Sequence, residues 1–192
     1  MKTSGLKKWL HPFRQIAGYE ALGWGLAGLI VSTALCYFLK WHYHGLLHFG
    51  PAPNNAWWCY LVEHLTVWLL PATVFYLGGL IFSRSRIRPV DVFGTVLFAE
   101  ILLTPMALFQ LFQPVRDLAA MRIVPGEMPS AYQLTGIWLM LVASVFVVGC
   151  MVWLFQALQV SCNLKGWKLW CVYLLGTFGA DVACRYIIGI FY

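Results

Sequence analysis

Charged residues are scarce in this 192-residue chain: Asp, Glu, Lys and Arg make up only 10% of it, whereas apolar residues make up 61%. A soluble domain carries about a quarter of charged residues, because its surface must be hydrated. The shortage therefore excludes an ordinary water-soluble domain, and the mean hydropathy of +0.74 favours contact with lipid. Acidic residues are the scarcest charged class, seven against thirteen basic ones, which leaves a net charge of +6.

Sequence signatures of common chemistries are missing as well. The chain has no P-loop, no HExxH zinc-protease motif and no GxSxG hydrolase motif, and its six cysteines include no CxxC pair. The run GWGLAG echoes a glycine-rich nucleotide loop, but no strand precedes it. Basic residues lie at the ends of apolar segments and form no large patch. We therefore expect no cofactor and no nucleic-acid partner.

Long apolar stretches are what the sequence does have. A helix needs about 20 apolar residues to cross a hydrocarbon core about 30 Å thick. Five stretches qualify, at residues 21–41, 57–82, 90–112, 134–158 and 167–190. They lack strand-type alternation, so helices are the remaining way to satisfy a backbone in lipid. The sequence predicts an all-α, polytopic integral membrane helical bundle, with residues 1–192 forming a single membrane domain.

The positions of Lys and Arg predict the orientation of this bundle. With five spans, nine basic residues fall on the side of the N-terminus and four on the other side. We therefore predict a cytoplasmic N-terminus and a C-terminus outside. Residues 1–20 combine an apolar stripe with basic residues, which is typical of an amphipathic segment lying at the membrane interface. Because Pro12 interrupts this pattern, a disordered basic leader is the alternative.

Five polar residues inside the predicted spans are candidates for function, because such residues cost a few kcal/mol in lipid unless they are paired or hydrated. This buried polar cluster comprises Glu63, His64, Glu100, Asp181 and Arg185. At 1.5 Å per residue, Glu63 and Asp181 lie about 9 Å below the outer face and Glu100 lies near the midplane. Asp181 and Arg185, four residues apart, are predicted to form an ion pair. That pair either orders the bundle or lines a polar cavity open to the outside.

Histidines gather near the end of the first span. Neutral imidazoles together with a carboxylate suit zinc or a similar metal. The weak candidates for metal ligands are His44, His48, Glu63 and His64. Ordinary interfacial histidines are the favoured alternative, since these spacings match no metal motif. Cys36 and Cys59 both lie near the outer face, where either a disulfide or, preferably, two free thiols is compatible with the sequence.

Two stretches resemble the YIP family of five-span membrane proteins, which interact with Rab GTPases in eukaryotes. They are VDVFGTVLFAEILLTPMAL, residues 90–108, and WLFQALQVSCNLKGWKLWCVYLLG, residues 153–176. The resemblance implies five spans, a cytoplasmic N-terminus, an outside C-terminus and no catalytic motif. The N-terminus here is short and basic, whereas eukaryotic members carry a long acidic region. This difference favours a bacterial member in the cytoplasmic (inner) membrane.

Three functions remain open at this point. The favoured one is a non-enzymatic membrane protein of the YIP type, whose partners are membrane lipids, other membrane proteins or a second copy of itself. The second is a transporter or channel component that uses Glu100 and the pair of Asp181 and Arg185. The third is an outer-face membrane enzyme that depends on a metal or a lipid.

Overall fold

A computed structural model describes residues 11–120 and 130–192 of the chain. This described part is mostly helical. Its α-helices are α1 (Gly18–Leu39), α2 (Trp57–Phe82), α3 (Pro89–Glu100), α4 (Gln113–Ala120), α5 (Ala131–Cys162), α6 (Gly166–Leu174) and α7 (Ala180–Gly189). Two 3-10 segments, Pro12–Arg14 and Ile101–Leu111, and a π-helical turn, Leu175–Gly179, interrupt or extend them. Two short strands, β1 (His42–Tyr43) and β2 (Phe49–Gly50), pair antiparallel.

Five helical stretches in the described residues are long and apolar enough to cross a membrane. The first two are α1 and α2, the third is Pro89–Leu111, the fourth is α5 and the fifth is Gly166–Gly189. The prediction of an all-α, polytopic helical bundle with five spans is confirmed. The ends of each span differ from the predicted ones by four residues at most, which is within the fraying expected at helix ends.

The third span lies at the centre of the bundle. Half of its most apolar window is buried, compared with 17% for the first span and 22% for the fourth. Its α-helical geometry changes to 3-10 geometry at Ile101, four residues before Pro105. Proline has no N–H to donate to the carbonyl four residues earlier, so the regular helix ends there. Glu100, the last residue of α3, is thereby placed at a break in the centre of the bundle.

The fifth span is also interrupted. The π-helical turn Leu175–Gly179 joins α6 to α7 and accommodates one extra residue in the helical path. A Cβ atom on Gly176 would collide with the ring of Phe75 on α2. Glycine at this position therefore allows the two helices to approach each other closely.

The predicted interfacial segment at residues 1–20 is described only from residue 11 onward. Phe13 lies in the 3-10 segment Pro12–Arg14 and is only 2% exposed. Its ring packs edge-on against Phe98 and Trp153, with 5.9 Å between ring centroids in each pair. The described end of this segment therefore inserts an aromatic side chain into the bundle.

Close packing of α1 on α3 depends on glycines in both helices. A Cβ atom on Gly94 would lie 2.8 Å from the carbonyl oxygen of Gly18, and one on Gly25 would lie 2.7 Å from Cγ of Leu97. Both distances are shorter than van der Waals contact, so a larger side chain would force the helices apart.

Replacing Gly25 by leucine is expected to destabilise the bundle by roughly 1–3 kcal/mol, because an overpacked interface must shift to relieve the clash. A Cβ atom on Gly23, in the same helix, would meet no heavy atom within 4 Å. Gly23→Leu is therefore the matched control, and thermal unfolding in dodecyl maltoside is the measurement. Equal melting temperatures for the two variants would contradict this packing arrangement.

Candidate functional site

The connection between α1 and α2, residues 40–56, forms a folded cap on one end of the bundle. We call it the hairpin loop, because it contains β1 and β2, and we call this end of the bundle the loop end. Lys40 begins the loop in the left-handed conformation, with φ of 55°. Trp41, His42, Tyr43 and Leu46 are each exposed by 3% or less. The first part of the loop, residues 41–46, thus contributes to the core.

Glu63 on α2 anchors the start of this loop. It is 1% exposed, and it accepts hydrogen bonds from the backbone N–H of Tyr43 at 2.8 Å and from Nδ1 of His42 at 2.7 Å. The hydroxyl of Tyr192 donates to the same carboxylate. Burial, together with this hydrogen bond, raises the pKa of Tyr192, so its hydroxyl keeps the proton that it donates. A buried carboxylate needs such donors to replace water.

His42 is held on its other side as well. Its ring stacks on Tyr60, with centroids 4.1 Å apart, and Nε2 lies 3.3 Å from Oδ1 of Asn55. The hydroxyl of Tyr60 donates to the same Asn55 oxygen at 2.9 Å. The start of the hairpin loop is therefore joined to α2 through His42, and its end through the hydrogen bond from Tyr60 to Asn55.

Asp181 on α7 anchors the middle of the loop. Its carboxylate accepts a hydrogen bond from the backbone N–H of Leu47 at 2.8 Å and lies 2.9 Å from Nδ1 of His48. The direct ion pair predicted between Asp181 and Arg185 is wrong, since none is present in the described part of the chain. Instead, Nη1 of Arg185 lies 3.4 Å from Nε2 of His48. The histidine stands between the two charges because the loop folds down onto α7.

The four residues proposed as weak metal candidates do not form one site. Glu63 binds His42, His48 binds Asp181, and His64 binds Ser32. Burial lowers the pKa of the fourth, His44, which favours its neutral form. Within residues 11–120 and 130–192, no group of three or more His, Cys, Asp or Glu side chains could hold a metal ion. All six cysteines lie in these ranges and are free, so Cys36 and Cys59 form no disulfide.

His64 forms a separate polar chain deeper in the bundle. Its Nδ1 donates to the carbonyl of Tyr60 at 2.7 Å, so Nε2 carries the lone pair and accepts from the hydroxyl of Ser32 on α1 at 2.9 Å. The hydroxyl of Tyr43 lies 3.5 Å from the same serine oxygen. These contacts join α1, α2 and the hairpin loop beneath the loop end.

A small cavity lies beside this chain and reaches Glu100. Its polar lining comprises Ser32, Tyr43, His64, Glu100 and Thr104. The cavity offers about 20 Å³, which is enough for one water molecule. Oε1 of Glu100 and Oγ1 of Thr104 are buried without a hydrogen-bond partner in the described residues. A desolvated carboxyl group of this kind can take up a proton or a small cation.

The structure thus divides the predicted polar cluster into three places. Glu63 and Asp181 hold the hairpin loop, Arg185 reaches that loop through His48, and His64 and Glu100 line the cavity. Sequence reasoning did not select His42 or Tyr192 as partners of Glu63. No local pattern distinguishes His42 from His44, because residues two apart in an extended segment point to the same face.

Replacing Glu63 by glutamine is expected to lower the free energy of unfolding by roughly 2–3 kcal/mol, because an amide NH₂ group must then face one of three donors. Glu20 on α1 is exposed and provides the matched control, Glu20→Gln. Thermal unfolding in dodecyl maltoside measures both variants. A loss for Glu63→Gln no larger than that of the control would show that the carboxylate does not hold the loop.

Asp181 and Arg185 should contribute unequally. Asp181→Ala leaves the N–H of Leu47 and the imidazole of His48 without an acceptor, and should cost about 2 kcal/mol. Arg185 is exposed, so Arg185→Ala should cost less than about 1 kcal/mol. The double variant should resemble Asp181→Ala alone in a thermal double-mutant cycle. Two large and equal single losses that largely cancel in the double variant would instead support a direct ion pair.

Comparison of the chain with protein-family models, with curated proteins and with solved structures finds no match in any of the three. The function must therefore be inferred from the geometry of the chain itself. That geometry consists of a five-span bundle, two carboxylates that fix a folded loop, and one carboxyl group beside a small cavity.

Proposed function

We propose that this chain is a non-enzymatic integral membrane protein of the YIP type, which acts through contacts with lipids or with other proteins inside the bilayer. As part of this proposal, it resides in the cytoplasmic membrane of a bacterium, with its N-terminus in the cytoplasm. The five-span architecture agrees with the plan that the resemblance to the YIP family implies, and the excess of Lys and Arg on one side supports the orientation.

The observation that carries the proposal is that the loop-end carboxylates serve the fold. A general acid or base must reach a substrate with a free proton-transfer position. Both oxygens of Glu63 and both oxygens of Asp181 are instead engaged by the chain's own hairpin loop or Tyr192. These carboxylates hold the hairpin loop in place through hydrogen bonds, which supports a structural or interacting role over a catalytic one.

The outer faces of the peripheral spans provide the surface for such contacts. On α5, Trp138 is 66% exposed and Val145 is 66% exposed, and on α1, Phe38 is 76% exposed. At 32 residues, α5 is also about 48 Å long, which exceeds a hydrocarbon core of about 30 Å. Long apolar faces of this kind contact lipid tails or the helices of a partner.

In-cell photo-crosslinking tests the proposal. A benzophenone amino acid at Trp138 should yield discrete adducts with another membrane protein, with a second copy of the chain or with lipid. The same amino acid at Trp153, which is only 9% exposed on the same helix, should link within the chain alone. No adduct from Trp138, together with a monomeric chain in mild detergent, would remove the proposal.

A second candidate function, a component of a transporter or channel, is favoured by Glu100. This residue lies at the break in the third span and lines the small polar cavity. Unpaired carboxyl groups at membrane depth commonly mark proton or ion paths. Proton flux into proteoliposomes, followed with a pH-sensitive dye, should then fall to the protein-free level in Glu100→Gln and persist in Glu20→Gln. Flux that does not change in Glu100→Gln would dismiss this candidate.

A further inference from the structure

A concave basic pocket lies at the end of the bundle opposite the hairpin loop. It is formed where α2 ends and where a tight turn joins α5 to α6, and its volume is about 490 Å³. We call it the basic pocket. Its polar and aromatic lining includes Arg84, Ser85, Asn163, Lys165, Trp167 and Lys168.

The positive charges of this pocket are available to a ligand. Arg84 and Lys165 are exposed and Lys168 is half-buried, and none of the three forms an ion pair with a described acidic residue. The amide of Asn163 donates to Oγ of Ser85 at 3.0 Å, so the two walls of the pocket are tied together. Three cations on a fixed frame form a site for an anion such as a phosphate group.

An apolar groove leads away from the basic pocket, between α2 and the fifth span. It occupies about 380 Å³, is lined almost wholly by apolar surface, and shares Phe82 with the basic pocket. Val74 and Leu175 line its far part. A Cβ atom on Gly78 would lie 2.5 Å from Cγ1 of Val172, so α2 and the fifth span are in close contact along the groove.

The two features match the two parts of a phospholipid. From Phe82 to Val74 the groove follows eight residues of α2, or about 12 Å. One leaflet of the hydrocarbon core is about 15 Å deep. A phosphate in the basic pocket would therefore place its acyl chain along the groove, with Trp167 at the level of the headgroups, where tryptophan is favoured.

We propose that the basic pocket and the apolar groove together bind one anionic glycerophospholipid. The phosphate lies among Arg84, Lys165 and Lys168, and one acyl chain lies along the groove toward Val74. This assignment rests on the proposed function, since it names the lipid class that the chain contacts. Basic pockets between membrane helices select anionic headgroups because several cations act on one phosphate at short range.

Titration of the delipidated, full-length protein in dodecyl maltoside tests this site. The probe is fluorescently labelled phosphatidylglycerol, and labelled phosphatidylcholine is the zwitterionic comparison. The unmodified protein should bind phosphatidylglycerol at least tenfold more tightly. The double variant Arg84→Ala with Lys168→Ala should weaken that binding by roughly 30-fold, on the scale of basic residues near an anionic surface.

The control has the same net charge. Arg86→Ala with Arg88→Ala removes two cations from the same connection, but neither residue lines the basic pocket. It should change the affinity less than threefold. Equal losses of affinity for phosphatidylglycerol in both double variants would show that general surface charge attracts the lipid. That result would overturn the assignment of the lipid to the basic pocket. If the alanine pair aggregates, Arg84→Gln with Lys168→Gln repeats the measurement.

The groove is tested separately. Cys171 is exposed and lines the groove, so Cys171→Trp should fill it and weaken phosphatidylglycerol binding at least fivefold, whereas Cys171→Ala should not. Unchanged binding by Cys171→Trp would overturn the assignment of the acyl chain. Displacement of the lipid by 10 mM inorganic phosphate would identify a soluble anion site instead.

These results are separable from those on the proposed function. If phosphatidylglycerol fails to bind while Trp138 still yields crosslinked partners, only the lipid site is wrong. If the lipid binds while Trp138 yields no adduct, the lipid site stands and the interaction surface on α5 is wrong.

Discussion

The loop end of this bundle depends on the cost of placing a carboxylate where water is excluded. Glu63 and Asp181 both lie inside spans, and each must find donors in place of the water that it has lost. The hairpin loop provides them, through two backbone N–H groups and two imidazoles. The relation is mutual, because a buried loop has backbone groups of its own to satisfy. Each carboxylate thus fixes the loop, and the loop supplies hydrogen-bond donors to each carboxylate.

The same requirement separates the two ends of the molecule. At the loop end, the buried carboxylates of Glu63 and Asp181 are paired with groups of the hairpin loop. At the opposite end, Arg84, Lys165 and Lys168 stay free of ion pairs in the described chain and face outward around a concavity. Glu100 lies between them, and its buried Oε1 has no donor among the described residues. The bundle therefore places charged groups near lipid in three ways: as buried carboxylates with donors, as cations around an open concavity, and as one buried carboxyl group without a donor among the described residues.

The spans could be predicted to within four residues at each end, because the length and hydropathy of a membrane helix are set by the bilayer itself. The placement of Glu63 and Asp181 inside helical spans followed from the same pattern. Their partners did not follow, since a 17-residue loop without a repeat offers no period to analyse. The helical spacing of Asp181 and Arg185 favoured a local pair, but tertiary folding placed His48 between them. Neither the change to 3-10 geometry at Ile101 nor the π-helical turn at Leu175–Gly179 was predicted, although Pro105 offered a signal for the first and nothing comparable marks the second.

That π-helical turn determines which way the loop-end half of the fifth span faces. One extra residue turns everything beyond it by about 100° relative to a continuous α-helix. The half of the span before the turn can therefore present Cys171 to the groove beside α2, while the half after the turn presents Asp181 to the hairpin loop. In a continuous α-helix, the orientation of one half would have fixed the orientation of the other half toward its neighbour. The extra residue makes the orientations of the two halves independent. Each half of the span can therefore face its own neighbour without rotating the other half out of contact.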